Sequence, residues 1–89
     1  MERFDSPFGP VELTPERFAH ITDFHPEVKK LKKYFVSTIA NPELIRPSRS
    51  DKQAFILYYK VAKNKFLAVV IKTNARNFIL TAYLTSKNL

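Results

Sequence analysis

Hydrophobic and polar residues follow two different patterns along the chain. In the first half, apolar residues recur every three or four positions, at Val28, Leu31, Tyr34, Phe35 and Ile39. This spacing predicts a helix from Pro26 to about Asn41, with one buried stripe and a lysine-rich outer face. In the second half, β-branched and aromatic residues dominate, which favours strands.

A shorter helix is predicted upstream. Thr14 precedes Pro15 and an acidic residue, which is typical of a helix start. The threonine side chain can accept a hydrogen bond from a free backbone N–H, and proline fits the first turn. We therefore expect a helix over Pro15–Ile21. Val11–Leu13 is predicted to be a short strand, and residues 1–10 a tail or edge segment.

The second half contains three β-rich runs, Gln53–Ala62, Lys65–Thr73 and Phe78–Thr85. Their separators of two and four residues suit hairpins. Asn41–Lys52, which contains two prolines, is predicted to be a loop with one turn around Glu43–Ile45. The predicted fold class is α+β: two N-terminal helices packed on an antiparallel meander of three strands, or four if Val11–Leu13 joins.

Alternation along the strands predicts which side chains share a face. We assume that Ala62 faces Lys65 and that Thr73 faces Phe78. The face expected to receive the helices then carries Ile56, Tyr58, Lys60, Leu67, Val69, Ile71, Phe78, Leu80 and Leu84. The opposite face carries Phe55, Leu57, Tyr59, Val61, Ala68, Val70, Lys72, Ile79, Thr81 and Tyr83. In this register Val70 faces Thr81, and Lys72 lies diagonal to Thr81. A polar site is therefore expected on this opposite face.

Length and composition limit the possibilities. A chain of 89 residues allows one domain, predicted to span residues 1–89 with its core in residues 11–86. Zero cysteines and two histidines exclude disulfides, thiol chemistry and zinc-finger spacing, and no metal or other cofactor is expected. The single glycine excludes a phosphate-binding Gly-rich loop. No apolar stretch approaches the roughly 20 residues of a membrane span and no export signal is evident, so we expect a cytoplasmic protein.

The charge is unevenly distributed. Residues 1–28 hold two positive and six negative side chains, whereas residues 29–89 hold thirteen positive and two negative, which together give +7. Such a basic region favours a phosphate-rich partner. The alternative is a lysine-rich solvated surface, and this alternative also applies to the run Lys29, Lys30, Lys32 and Lys33. Further candidate RNA contacts are Arg46, Arg49, Lys52, Tyr59 and Lys60.

The two histidines are candidates for acid–base chemistry. His20 and His25 lie at the junction of the predicted helices, and imidazoles can remove a proton from a ribose 2′-hydroxyl and donate one to a leaving 5′-oxygen. His20 is expected to project past its helix towards the sheet edge. His25 precedes Pro26, where a side chain that caps the next helix is the alternative.

An ordered set of motifs resembles a known family. The set comprises Leu13-Thr-Pro-Glu-Arg-Phe-Ala-His20-Ile, Phe24-His25-Pro26-Glu27, Pro-Glu-Leu-Ile-Arg-Pro at 42–47, Tyr-Tyr-Lys at 58–60, Val-Val-Ile-Lys72 and Leu80-Thr81-Ala82-Tyr83. It is similar to the phage-associated barnase, EndoU, colicin and RelE-like nuclease domains (the BECR fold), and covers residues 11–86.

The resemblance implies a metal-independent ribonuclease that acts as a toxin or phage-carried effector. By position it implies that His20 is the leading catalytic residue and that Lys72 contacts the phosphate. Thr81 and Tyr83 are implied as further active-face groups, and His25 also matches the motif. The glutamate that some barnase-like enzymes use as a base has no clear counterpart on the predicted sheet.

Two functions follow from the sequence. The first is a small endoribonuclease acting on RNA, such as tRNA or ribosome-associated RNA, and controlled by an inhibitor or antitoxin protein. The second is a non-catalytic module that binds nucleic acid or protein, because Tyr58, Tyr59 and Tyr83 among lysines would suit base stacking equally well. We expect a monomer or weak dimer that does not bind membranes.

Overall fold

The computed structural model describes residues 1–86, which form one mixed sheet with helices on one side. The strands are β1 (Glu2–Phe4), β2 (Val11–Leu13), β3 (Leu44–Pro47), β4 (Ala54–Ala62), β5 (Lys65–Lys72) and β6 (Asn77–Thr85), and the helices are α1 (Pro15–Phe24), α2 (Val28–Leu31) and α3 (Phe35–Ala40). The strand order across the sheet is β1-β2-β6-β5-β4-β3. Among these residues, no helix combines the length and apolar character needed to cross a bilayer.

The predicted fold class, two N-terminal helices on a three- to four-stranded antiparallel meander of the BECR type, is wrong. The sheet has six strands, and it is mixed because β2 runs parallel to β6, with Val11 beside Asn77 and Glu12 beside Phe78. The helices are short. Where a loop with one turn was predicted, Leu44–Pro47 forms the edge strand β3. Strands of three or four residues are too short to show the alternation that identifies a strand, and β3 depends on pairing with β4.

Helix α1 begins as predicted but ends later. The Thr14 hydroxyl accepts a hydrogen bond from the Arg17 backbone N–H at 3.1 Å, and Pro15 occupies the first turn. The helix continues to Phe24 instead of ending at Ile21. Its end falls at His25, which precedes Pro26, and the residue before a proline disfavours helical backbone. Phe24 is therefore in the last turn of α1.

The predicted second helix is interrupted. In place of one helix over residues 26–41, α2 is followed by a 3₁₀ turn, Lys32–Tyr34, and then by α3. The apolar stripe nevertheless points inward as predicted, with Val28, Phe35 and Ile39 fully buried.

The three long strands lie close to their predicted positions, but two irregularities change the faces. Ala62 does pair with Lys65, and a bulge between Lys60 and Ala62 then shifts the register by one residue. A bulge reverses the side-chain directions beyond it. Leu57 therefore faces the helices, whereas Ile56, Tyr58 and Lys60 were wrongly assigned to that side.

A second irregularity lies between β5 and β6. Lys72 pairs with Phe78, and a shift between Val70 and Ile71 leaves Val70 opposite Thr81, as predicted. The helix side of the sheet carries the buried residues Leu57, Leu67, Val69, Ile71, Ile79 and Ala82. Phe78, predicted to face the helices, lies instead on the opposite side, which we call the outer face.

The core lies between the helices and this buried side of the sheet. Phe35 of α3 is fully buried, and its ring meets the rings of Phe4 at 6.1 Å and Phe18 at 6.2 Å in edge-on geometry. It thus joins α1, α3 and the edge strand β1 in a single contact cluster.

Candidate functional site

Strand β6 brings the predicted polar residues onto the outer face. Its side chains Phe78, Thr81 and Tyr83 pair with Lys72, Val70 and Ala68 of β5 in that order. Since opposed residues share a face, Lys72, Thr81 and Tyr83 lie on one side of the sheet.

Two tyrosines meet across β5. Tyr58 and Tyr83 both pair with Ala68, so the two phenols flank its small, fully buried side chain on the outer face. Burial raises the pKa of Tyr83, and the neighbouring Tyr58 raises it further. Tyr83 therefore keeps its proton at neutral pH, so it can donate a hydrogen bond or a proton to a ligand and cannot serve as a base.

His25 lies at the same end of β6. Its ring is 5.9 Å from that of Tyr83, and its Nδ1 is 3.8 Å from a carboxylate oxygen of Glu27. Helix α2 begins without a side-chain cap hydrogen bond, and it is the backbone carbonyl of His25 that accepts the Val28 N–H. The imidazole is thus part of the outer-face surroundings rather than the helix cap that the sequence suggested as the alternative.

Lys72 is held by an acidic partner. Its Nζ forms an ion pair with the carboxylate of Asp51, in the loop between β3 and β4. The hydrogen bond from Lys72 lowers the pKa of Asp51, and the backbone N–H of Gln53 lowers it further. A phosphate that approached Lys72 would have to share the ammonium group with this carboxylate. Asp51 lies 21 residues from Lys72, so sequence spacing could not identify it.

This ion pair predicts a pH-dependent stability. Because the pKa of Asp51 is lowered in the folded state, its contribution is fully present above the ordinary carboxyl pKa and is lost as the pH falls through the lowered value. We expect D51N to be less stable than wild type in urea denaturation near pH 7, with the difference disappearing near pH 2. K72M should produce the same loss, and the double variant little more. A D51N deficit that persisted unchanged at low pH would contradict the assignment.

Helix α1 presents a second set of groups beside the outer face, which we call the α1 edge. It consists of Arg17, His20 and Phe24, spaced three and four residues apart and therefore on one stripe of the helix. The Arg17 guanidinium lies 6.0 Å from the centre of the Phe78 ring, and the His20 ring lies 5.0 Å from the Phe24 ring.

Two hollows lie along the α1 edge, and one of them reaches the outer face at Phe78. One, of about 330 Å³, is lined by Thr14, Glu16, Arg17 and His20. The other, of about 160 Å³, is lined by Glu12, Thr14, Arg17, Phe78 and Ile79. Thr14 and Arg17 line both, so the hollow beside His20 adjoins the one at Phe78, the residue paired with Lys72. The two predicted catalytic residues are held by different partners. The His20 ring contacts Phe24, whereas Lys72 forms an ion pair with Asp51.

A glutamate also lies on the outer face, although the sequence offered no clear candidate. Glu12 pairs with Phe78, and its carboxylate is held by Arg76 at 3.0 Å and Arg3 at 3.5 Å. Arg3 belongs to β1 and Arg76 to the turn before β6, so the carboxylate links three segments of the chain. This arrangement favours a role for Glu12 in fixing the strands.

The candidate RNA contacts do not form one surface. Arg46 pairs with Ile56, and Lys60 pairs with Phe66, which places both on the outer face by alternation. Tyr59 pairs with the buried core residue Leu67 and so lies on the helix side. Arg49 and Lys52 lie in the β3–β4 loop, near Asp51.

The lysine run lies on the helix side as well. Lys29, Lys30 and Lys33 are exposed on α2 and the 3₁₀ turn. Lys32 forms an ion pair with Glu2 and lies 5.0 Å from the Phe18 ring centre. The run therefore faces away from the outer face, as expected for a solvated helix surface.

Sequence reasoning missed Arg17 and Phe24. The signal for Arg17 was present, because residues three apart on the predicted helix 15–21 share a stripe, and Arg17 is three before His20. Phe24 fell outside the predicted helix and so could not be placed on that stripe.

No three His, Asp or Glu side chains within residues 1–86 come together in a way that could hold a metal ion. Comparison with models of known protein families, with curated proteins and with solved structures found no match to this chain.

Proposed function

We propose that this protein is a metal-independent endoribonuclease whose site lies where the α1 edge adjoins the outer face. One observation carries the proposal: Arg17 lines both the hollow beside His20 and the hollow beside Phe78. Arg17 is itself the cation of this site, and it connects the His20 imidazole with β6, the strand that carries Thr81 and Tyr83.

The chemistry needs a base, an acid and positive charge. His20 takes the proton of a ribose 2′-hydroxyl, whose oxygen attacks the adjacent phosphorus while the bond from phosphorus to the 5′-oxygen breaks. The protonated phenol of Tyr83, or the His25 imidazole next to it, donates a proton to the leaving oxygen. Arg17 stabilises the charge that develops on the phosphate, assisted by Lys72. The products are a 2′,3′-cyclic phosphate and a 5′-hydroxyl.

The motif resemblance supports the same activity, although the architecture predicted with it is wrong. It also supports RNA as the partner and a toxin or effector role, with an inhibitor protein as a second partner. These proposals rest on the residues around His20, Lys72, Thr81 and Tyr83.

The test is cleavage of end-labelled RNA by the purified chain in the presence of EDTA. We expect full activity under chelation and products that end in 2′,3′-cyclic phosphate, because the proposed groups are all side chains. A matched 2′-O-methyl RNA should stay intact, since it has no attacking hydroxyl. Loss of activity on chelation with recovery on adding magnesium, or cleavage of the 2′-O-methyl strand, would overturn the mechanism.

Arg17 gives a test of where the phosphates bind. R17Q should reduce the slope of log affinity against log salt by about 0.7, the value expected when one contact to a single-stranded phosphate is lost. The control K30Q removes an equal charge from the helix side and should leave the slope unchanged. The measurement is fluorescence anisotropy of a labelled 2′-O-methyl oligonucleotide at several salt concentrations. An equal decrease in both variants would contradict the outer-face site.

The second candidate function is RNA binding without cleavage. The ion pair between Lys72 and Asp51 favours it, because a lysine neutralised by a carboxylate gives less stabilisation to a charged transition state. Salt-dependent RNA binding through Arg17 with no cyclic-phosphate product would support this function over the nuclease.

A further inference from the structure

We propose that the Phe24 ring is a stacking platform for a nucleotide base, and hence that the RNA bound by this protein is single-stranded. The inference deepens the proposed function, since it names the substrate class for the same site. It assigns to Phe24 a binding role that neither its sequence position nor the catalytic scheme gives it.

Phe24 is far more exposed than the other phenylalanines of the described residues. Phe24 is 70% exposed, whereas Phe35 is fully buried and Phe4 is 8% exposed. The other five phenylalanines are half-buried. An exposed phenyl ring forgoes the roughly 1.5 to 3 kcal/mol that burial of such a side chain contributes, so Phe24 does little for the stability of the fold.

The surroundings of Phe24 fit a nucleotide. Its ring meets the His20 ring at 5.0 Å with 63° between the planes, an edge-on contact beside the imidazole that we propose as the general base. With 70% of Phe24 exposed, most of the ring stays open to a ligand. Arg17 lies on the same stripe, seven residues and roughly 10 Å along the helix, where it can bind a phosphate. One stripe of α1 thus offers a cation and an open aromatic surface on either side of an imidazole. Positive charge together with aromatic surfaces is the combination found where single strands bind.

Stacking on a protein side chain selects the state of the RNA. A base can lie on the Phe24 ring only if one of its own faces is uncovered, and in a duplex both faces are covered by neighbouring base pairs. A single strand, loop or bulge meets this requirement. The major groove of an RNA duplex is too deep and narrow for protein side chains to read its bases.

The experiment measures binding without cleavage. A 2′-O-methyl oligonucleotide that contains 2-aminopurine is titrated with wild type, F24A, F24Y and V36A, and both affinity and fluorescence are recorded. Stacking is worth about 1 to 3 kcal/mol per base, so F24A should bind roughly 5- to 150-fold more weakly and lose the quenching of 2-aminopurine. F24Y should retain both. V36A alters a residue on α3 that is 62% exposed and should behave as wild type.

The outcomes separate this inference from the nuclease. Equal affinity of F24A and wild type, or no binding by wild type, overturns the stacking platform even if RNA is cleaved. Phe24-dependent binding without any cleavage supports the platform and counts against the proposed catalysis. Annealing the complementary strand should abolish the difference in affinity between wild type and F24A. A duplex that bound as tightly as the single strand, and that F24A also bound more weakly, would contradict the single-strand assignment. Thermal melts of all four proteins check that the fold is intact.

Discussion

Replacing His20 with alanine is expected to lower RNA cleavage by about 10²- to 10⁴-fold, the usual contribution of a general acid or base. The melting temperature should not fall, because His20 is an exposed residue of α1. The measurement is the initial rate of cyclic-phosphate formation from a labelled single strand, together with a thermal melt.

His25 provides the comparison. Its ring lies beside Tyr83 and Glu27, and its backbone rather than its side chain completes the turn into α2. We expect H25A to lose less activity than H20A and to lose little stability. Wild-type rates in H20A would reject the nuclease proposal, whereas a larger loss in H25A would transfer the leading role to the histidine next to Tyr83.

Replacing Phe35 with alanine should have the largest effect on stability. A fully buried phenylalanine costs about 3 to 5 kcal/mol when it is truncated, since both burial and packing are lost. Small domains have a free energy of unfolding of only about 5 to 15 kcal/mol, so F35A should remove a large part of it. Urea denaturation measures the loss.

The neighbouring residue supplies a control for this substitution. Val36 lies on the solvent side of the same helix and is 62% exposed, so V36A should change the free energy of unfolding by less than about 0.5 kcal/mol. Similar losses in the two variants would contradict the described packing of α3 on the sheet.

The parts of the fold that were predicted correctly are those with a long periodic signal. Strands β4, β5 and β6 have eight or nine residues, enough for alternation and turn residues to define their ends. Strands β1 and β3 have three and four residues and depend on their neighbours. The parallel pairing of β2 with β6 joins the two ends of the chain, and local pattern carries no information about such a contact.

The candidate site was predictable to a similar extent. Lys72, Thr81 and Tyr83 were placed on one face because alternation within β5 and β6 predicts it. The register of Lys72 differs from the predicted one, but the shift between Val70 and Ile71 leaves Val70 opposite Thr81 as predicted. The bulge in β4 contains no glycine or proline that would indicate it in the sequence. Tyr59 was therefore predicted on the face opposite the helices, whereas it lies on the helix side. Asp51 comes from a distant loop.

The parallel contact between β2 and β6 also determines when the site can form during synthesis. The hairpins of β4, β5 and β6 join residues that are close in sequence, whereas Val11 must pair with Asn77. Closing so long a loop costs more conformational entropy and comes later in folding. On the ribosome, α1 would leave the exit tunnel well before the strand it contacts, so Arg17 could not reach Phe78 until β6 had been synthesised. A nascent chain that ended before β6 would carry His20 on a helix with no sheet face beside it, so the proposed site would remain unassembled until β6 had been synthesised.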